Sequence, residues 1–151
     1  MGNTITFTAW LLAAVMAFAA PTHAQDDSTT ARKQIEETFG SVPSYFQVYP
    51  DSALGAGWAL MKGVNFNRNM ALDPKMRELI SLSVAAQIPC EYCVYYHRKA
   101  ARSLGATEEE LKEAVLIAGI VRHWSTILQG SDYDMEAFRT ETDGFFPDKK
   151  D

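Results

Sequence analysis

The sequence predicts an all-α protein, a compact helical domain of about six helices, and three observations support this. Two segments carry helix start signals: Asp73 followed by Pro74, and Thr107 followed three residues later by Glu110. Apolar residues recur at spacings of three and four along most of the chain. No segment shows the alternation of apolar and polar residues that is typical of a strand.

The amino-terminal segment indicates export. Residues 1–25 contain no Asp, Glu, Lys or Arg, and an apolar run from Trp10 to Ala20 precedes Pro21 and a small-residue site ending at Ala24. This run is shorter than the ~20 apolar residues of a membrane span, so a signal peptide is favoured over an uncleaved anchor. We therefore expect a signal peptide over residues 1–24, a single domain over residues 25–151, and a periplasmic location.

Composition narrows the range of partners. The 151 residues carry a formal net charge of -5, and a nucleic-acid footprint needs a basic face. We therefore expect no nucleic-acid partner.

Two helices are predicted in the first half of the chain. The first covers residues 28–39, with Ser28 as N-cap and Gly40 as its stop. The second covers residues 52–67 and should be buried on much of its circumference. The apolar residues expected inside this second helix include Leu54, Trp58, Leu60, Met61 and Val64.

The centre of the fold is predicted to be a helical hairpin, 74–87 against 90–104, because only two residues separate the helices and Gly105 follows the second. The second half of the first of these helices is apolar on nearly every side, which indicates a core position. Folding the hairpin places Glu78 level with about residue 99, roughly two helical rises from His97. Glu78 is then either a buried, paired carboxylate or an exposed one bridged to Lys75 or Arg77.

Two more helices follow. The capping box at Thr107 begins a fifth helix, and Asp132 to Thr140 form a sixth. Glutamates 108–110 complement the helix dipole, and His123 is interpreted as structural. The residues expected inside are Leu111, Ala114, Val115, Ala118 and Val121 in the fifth helix and Met135 and Phe138 in the sixth.

The candidate chemistry lies in the segment from Pro89 to His97, which holds the only two cysteines of the chain. Cys90 should lie at a helix start, where free amide hydrogens and the helix dipole favour a thiolate. Cys90, Cys93 and His97 stand at i, i+3 and i+7 and therefore share one helix face. The pattern predicts a reactive, reversible dithiol, with Cys93, His97 and Glu78 as a possible proton path.

Other functions fit the same residues. Cys90, Cys93 and His97 could be three ligands of a structural metal site, with His123 or Glu78 as the fourth. A purely structural disulfide in an exported protein and a non-enzymatic redox sensor are further alternatives. A c-type haem site would need a histidine directly after the second cysteine, where this chain has Val94.

The pattern Glu78, eleven residues, Cys90-x-x-Cys93, three residues, His97 resembles the signature of the AhpD-like alkylhydroperoxidase branch of the carboxymuconolactone decarboxylase family. The resemblance covers about residues 54–128. It implies an all-helical fold and a homo-oligomer, a trimer or hexamer. The family's decarboxylases lack this cysteine pair, so lactone decarboxylation is the weaker alternative.

The resemblance also implies roles for four side chains. Cys93 would be the peroxidatic cysteine that attacks a small hydroperoxide, and Cys90 the resolving cysteine that forms a disulfide with it. His97 and Glu78 would transfer protons. It implies no bound cofactor and an external dithiol reductant, an unidentified reducing protein or thiol. Tyr92 stands where AhpD proteins have a second histidine.

Overall fold

A computed structural model describes residues 23–147, with side chains from residue 27 onward, and this part of the chain is helical. The all-α prediction is confirmed. None of the described helices is long and apolar enough to cross a membrane. The predicted signal peptide lies outside the described residues except for its last two positions. The helices are α1 (His23–Phe39), a short 3-10 helix (Ser44–Val48), α2 (Asp51–Asn65), α3 (Pro74–Gln87), α4 (Glu91–Ser103), α5 (Glu108–Gly130) and α6 (Met135–Phe145).

The chain divides into two compact units, with the boundary between Leu60 and Met61 inside α2. The first unit contains α1, the 3-10 helix and most of α2. The second contains the rest of the described chain, including α3 to α6. The sequence predicts one domain over the same residues.

The core of the first unit is aromatic and aliphatic. Trp58 is almost fully buried, and its indole nitrogen donates a hydrogen bond to the side-chain oxygen of Gln34 at 3.0 Å. The rings of Phe39 and Phe46 lie about 6 Å from it. The other buried apolar residues are Ala31, Ile35 and Leu54.

Two predictions for α1 and α2 are wrong. Ser28 is not an N-cap: α1 begins at His23, and Ser28 is buried inside the helix. The residues from His23 to Ser28 extend the helix toward the amino terminus, because no proline or glycine interrupts them. Leu60 and Val64 are exposed, so α2 is buried along one face and not on most sides.

Helix α3 is the central element of the second unit, because it packs against both α4 and α5. Its start is as predicted: the Asp73 carboxylate accepts a hydrogen bond from the Met76 amide at 3.0 Å, and Pro74 is its first residue. The observed α3 and α4 confirm the predicted hairpin, and Gly105 follows α4 with a φ of 86°. The residues buried between the helices of this unit are Leu79, Leu82, Ala101, Leu111 and Ala114.

Helix α5 is joined to α3 by polar contacts along its length. The Ser83 hydroxyl donates to the Ala114 carbonyl oxygen at 2.7 Å, and the Gln87 amide donates to the carbonyl of Ala118. Both acceptors lie on α5 one turn apart, as the donors do on α3. These contacts fix the register of the two helices.

The start of α5 is held by the predicted capping box, because the side chains of Thr107 and Glu110 each bond the backbone of the other. Glu110 also forms an ion pair with Lys75 at 2.6 Å. The hydrogen bond from Lys75 is the main reason that the pKa of Glu110 is lowered, and the same bond raises the pKa of Lys75. Helix capping and helix packing therefore share one carboxylate.

Several apolar residues predicted to be inside are exposed in the chain on its own. Val84 on α3 is one of them. Helix α6 begins at Met135, and both of its predicted core residues, Met135 and Phe138, are at the surface. On α5 the face toward α3 is buried, but a second apolar face is exposed among the residues that the structure describes. The exposed residues that were predicted to be inside these three helices are Val84, Val115, Val121, Met135 and Phe138.

Candidate active site

Cys90 is the N-cap of α4, as the sequence predicts. Its backbone is extended, with φ -99° and ψ 99°, and its sulfur accepts a hydrogen bond from the Cys93 amide at 3.2 Å. The Cys90 amide donates to the Ala85 carbonyl at 3.1 Å, which ties the cap to the last turn of α3. The sulfur is therefore held against the unpaired amides at the helix start.

Cys90 and Cys93 are joined by a disulfide. Their Cα atoms are 5.3 Å apart, inside the usual range for such a bond. The i, i+3 spacing in a first helical turn therefore brings the sulfurs together, as predicted. The structure holds the oxidised form of the dithiol.

Glu78 and His97 meet across the α3–α4 hairpin. The distance between the His97 Nδ1 and a Glu78 carboxylate oxygen is 2.6 Å, and their side chains are 19% and 8% exposed. The alternative of an exposed Glu78 bridged to Lys75 or Arg77 is wrong, because a carboxylate this deeply buried needs a close partner. A neutral His97 that donates from Nδ1 presents its Nε2 as an acceptor.

Each residue of this pair has a notable neighbour in the chain, Tyr96 beside His97 and Arg77 beside Glu78. The Tyr96 ring lies edge-on to the His97 ring, with centroids 5.2 Å apart. Arg77, adjacent to Glu78, is buried and donates to the Asn67 carbonyl oxygen at 2.7 Å. In the sequence, only their adjacency to His97 and Glu78 indicates that Tyr96 and Arg77 lie near the site.

An open pocket of about 210 Å³ lies beside Cys93 and His97. Cys93 and His97 line it together, one helical turn apart on α4, whereas Cys90 is not part of its wall. The wall also includes Ile80 and Val84 of α3 and Ile88 directly after it, which stand at intervals of four and are exposed. The prediction that the second half of α3 is buried is wrong at Val84, which lines the pocket instead.

The remaining candidate, His123, is not part of this pocket. Its ring lies edge-on to that of Trp124 on α5, with centroids 5.6 Å apart. Among the side chains that the structure describes, from residue 27 to residue 147, no three of His, Cys, Asp or Glu are grouped as ligands for a metal ion. The pocket therefore presents sulfur, imidazole and apolar surface.

The fold and the site define a class of protein. It is a small all-α protein whose helical hairpin carries a Cys-x-x-Cys disulfide and a paired glutamate and histidine. The sequence model of the family described as "Carboxymuconolactone decarboxylase family" matches residues 53–133. The chain belongs to this family, and its likeness to AhpD proteins places it in the AhpD-like branch. The resemblance found in the sequence is confirmed.

The solved structure of the alkylhydroperoxidase AhpD core from Rhodospirillum rubrum is similar, with a TM-score of 0.65 and 26% identity. The match covers 77% of this chain and 88% of that one. Alkyl hydroperoxide reductase AhpD of Mycobacteroides abscessus is 40% identical over 58 residues, which are 38% of this chain and 33% of the relative. "Uncharacterized protein 4 in cox locus" of Paracoccus denitrificans is 40% identical over 52 residues, 34% and 47% of the two chains. The chain thus matches less than half the length of either curated relative.

Proposed function

We propose that this protein is a thiol-dependent peroxidase that reduces small hydroperoxides through a dithiol–disulfide cycle. The observation that supports this best is the pocket in which Cys93 lies beside His97, while His97 is bonded to the buried Glu78. The AhpD name of two similar proteins supports the same class of reaction.

In the proposed oxidative step the Cys93 thiolate attacks the outer oxygen of the hydroperoxide. The O–O bond breaks, the sulfur becomes a sulfenic acid, and the alcohol oxygen takes a proton. In this proposal His97 accepts the thiol proton of Cys93 and returns one to the leaving oxygen, which is supported by the position of both side chains in the pocket wall. Glu78 stabilises the charged imidazole between the two transfers.

In the resolving step the Cys90 thiolate attacks the Cys93 sulfenic acid, the S–O bond breaks, and the departing hydroxide takes up a proton and leaves as water. The product is the Cys90–Cys93 disulfide, the bond that the structure contains. We propose that an external dithiol, from an unidentified reducing protein or a small thiol, returns the pair to the reduced form without a bound cofactor. We further propose that this cycle takes place after export.

Single substitutions distinguish the proposed roles of the two cysteines. We expect Cys93→Ser to abolish peroxide consumption with dithiothreitol as reductant. Cys90→Ser should consume peroxide once per chain and then stop, because the sulfenic acid has no partner. The measurements are peroxide loss and thiol titration before and after peroxide, with the double variant as blank. Equal turnover by wild type and both single variants would contradict the assignment.

A thiol–disulfide redox or sensor protein without peroxidase activity is the second candidate, and the helix-capping disulfide favours it equally. A screen of hydrogen peroxide and organic hydroperoxides against the reduced protein separates the two. A peroxidase is oxidised by peroxide much faster than free cysteine is. A redox protein of the second kind is oxidised by peroxide no faster than free cysteine, and it exchanges with protein disulfides.

We also propose that the chain forms a homo-oligomer, a trimer or hexamer. An uncovered apolar face on α5 supports self-association, because exposed patches of this kind usually mark an interface. Replacing Ile120 and Trp124 by Ser should shift the mass measured by light scattering to that of one chain. An unchanged mass would place the interface elsewhere. The exposed apolar residues of this face are Leu116, Ile117, Ile120, Val121, Trp124 and Ile127.

A further inference from the structure

The two sulfurs of the disulfide have different surroundings. The Cys90 sulfur lies at the start of α4 and accepts the Cys93 amide hydrogen at 3.2 Å. Cys93, in contrast, lines the pocket together with His97. A reductant must attack one of them, and the other must leave as a thiolate.

We propose that the external thiol enters the pocket and attacks Cys93, and that Cys90 is the leaving thiolate; this assignment rests on the proposed peroxidase cycle. Attack on a disulfide is faster when the departing sulfur is the better-stabilised anion. An amide hydrogen bond and the positive end of the helix dipole stabilise an anion at Cys90. Cys90 and Cys93 are both half-buried, but only Cys93 lies in the wall of the pocket, which has room for a small thiol.

The electron balance of this reduction is complete with a dithiol as reductant. The first thiolate forms a sulfur–sulfur bond with Cys93, and the Cys90–Cys93 bond breaks to release the Cys90 thiolate. The second thiolate then attacks the reductant's own sulfur in the mixed disulfide and releases the Cys93 thiolate, so that two electrons reach the protein. His97, in the same pocket, is placed to protonate Cys93 as it leaves.

This assignment gives Cys90 one chemical form in both halves of the cycle. It attacks Cys93 as a thiolate when the disulfide forms and departs as a thiolate when the disulfide is reduced. Hydroperoxide and reductant therefore use the same pocket at Cys93, at different times. The hydroperoxide and the reductant would each contact the exposed pocket wall formed by Ile80, Val84 and Ile88.

The direction of attack can be read directly on the wild-type protein without peroxide. The oxidised protein is mixed with 2-mercaptoethanol for short intervals and then quenched with an excess of N-ethylmaleimide, which traps each cysteine that has been released. Fragment masses of the digested peptide then show which cysteine carries mercaptoethanol and which carries maleimide. Glu91 and Tyr92 lie between the two cysteines and give the distinguishing fragments.

We expect mercaptoethanol on Cys93 and maleimide on Cys90, in excess of the reverse pattern, because the better-stabilised thiolate leaves faster. Val84→Trp, which narrows the pocket, should slow the reduction by 2-mercaptoethanol. Met76→Trp is the matched control, since Met76 is exposed on the same helix and does not line the pocket.

The reverse labelling pattern, or equal reduction rates for the two tryptophan variants, would overturn the proposal. The outcome is independent of peroxide turnover. An inactive peroxidase with label on Cys93 would refute only the proposed function. Full peroxidase activity with mercaptoethanol on Cys90 would refute only the direction of reduction.

Discussion

Replacing Glu78 by Gln removes one charge from the centre of the site and leaves its shape almost unchanged. The Gln oxygen can still accept a hydrogen bond from His97 Nδ1, which lies 2.6 Å from the carboxylate. A hydrogen bond to a charged group contributes about 1.5–3 kcal/mol and a neutral one about 0.5–1.5 kcal/mol. The loss is therefore roughly 1–1.5 kcal/mol of stabilisation of the protonated imidazole, or about a tenfold fall in peroxidase kcat/KM.

The assay follows peroxide consumption at several hydroperoxide concentrations with dithiothreitol as reductant, and thermal melting runs in parallel. Glu113→Gln is the matched control, because Glu113 is an exposed glutamate on α5 outside the pocket. We expect wild-type kinetics for this control. A folded Glu78→Gln protein should show the slower reaction with little change in Tm.

A double-mutant cycle tests whether Glu78 acts through His97. If it does, Glu78→Gln should add little to the defect of His97→Gln, because the imidazole that it stabilises is then absent. Two defects that multiply independently would refute this reasoning. So would a Glu78→Gln variant with unchanged kcat/KM and a lowered Tm, which would show that the carboxylate is only structural.

Two predictions concern stability. Glu110→Gln should lower the Tm at neutral pH, since the lowered pKa of Glu110 stabilises the fold above its ordinary value of 4.5 and this contribution is lost as the pH falls through the lowered value. A Tm difference from wild type that persists in acid would contradict this. Gly105→Ala should cost about 1–2 kcal/mol in urea denaturation, because Gly105 has a φ of 86°. Gly119→Ala, inside α5 with free space around it, is the control and should stabilise slightly; equal effects of the two substitutions would refute the conformational argument.

Much of the fold and of the site could be predicted because the signals are local. Asp73 and Thr107 cap helices through bonds to residues three positions away, so the pattern alone determines them. The spacing of Cys90, Cys93 and His97 places them on one face of any helix. The short link between α3 and α4 brings Glu78 close to His97.

The tertiary structure decided which apolar surfaces are covered. Helical periodicity shows that Val84 and Val121 lie on apolar faces, but it does not show whether another helix packs there. In this chain α3 covers only one face of α5, and the other face remains exposed. The stripe of α3 around Val84 became the wall of a pocket, and Tyr96 came to lie against His97. The sequence by itself therefore determined the helices and the common face of the candidate site residues, because these depend on neighbours within a turn or two. The tertiary structure decided the pocket, because burial depends on what the rest of the chain places on each face.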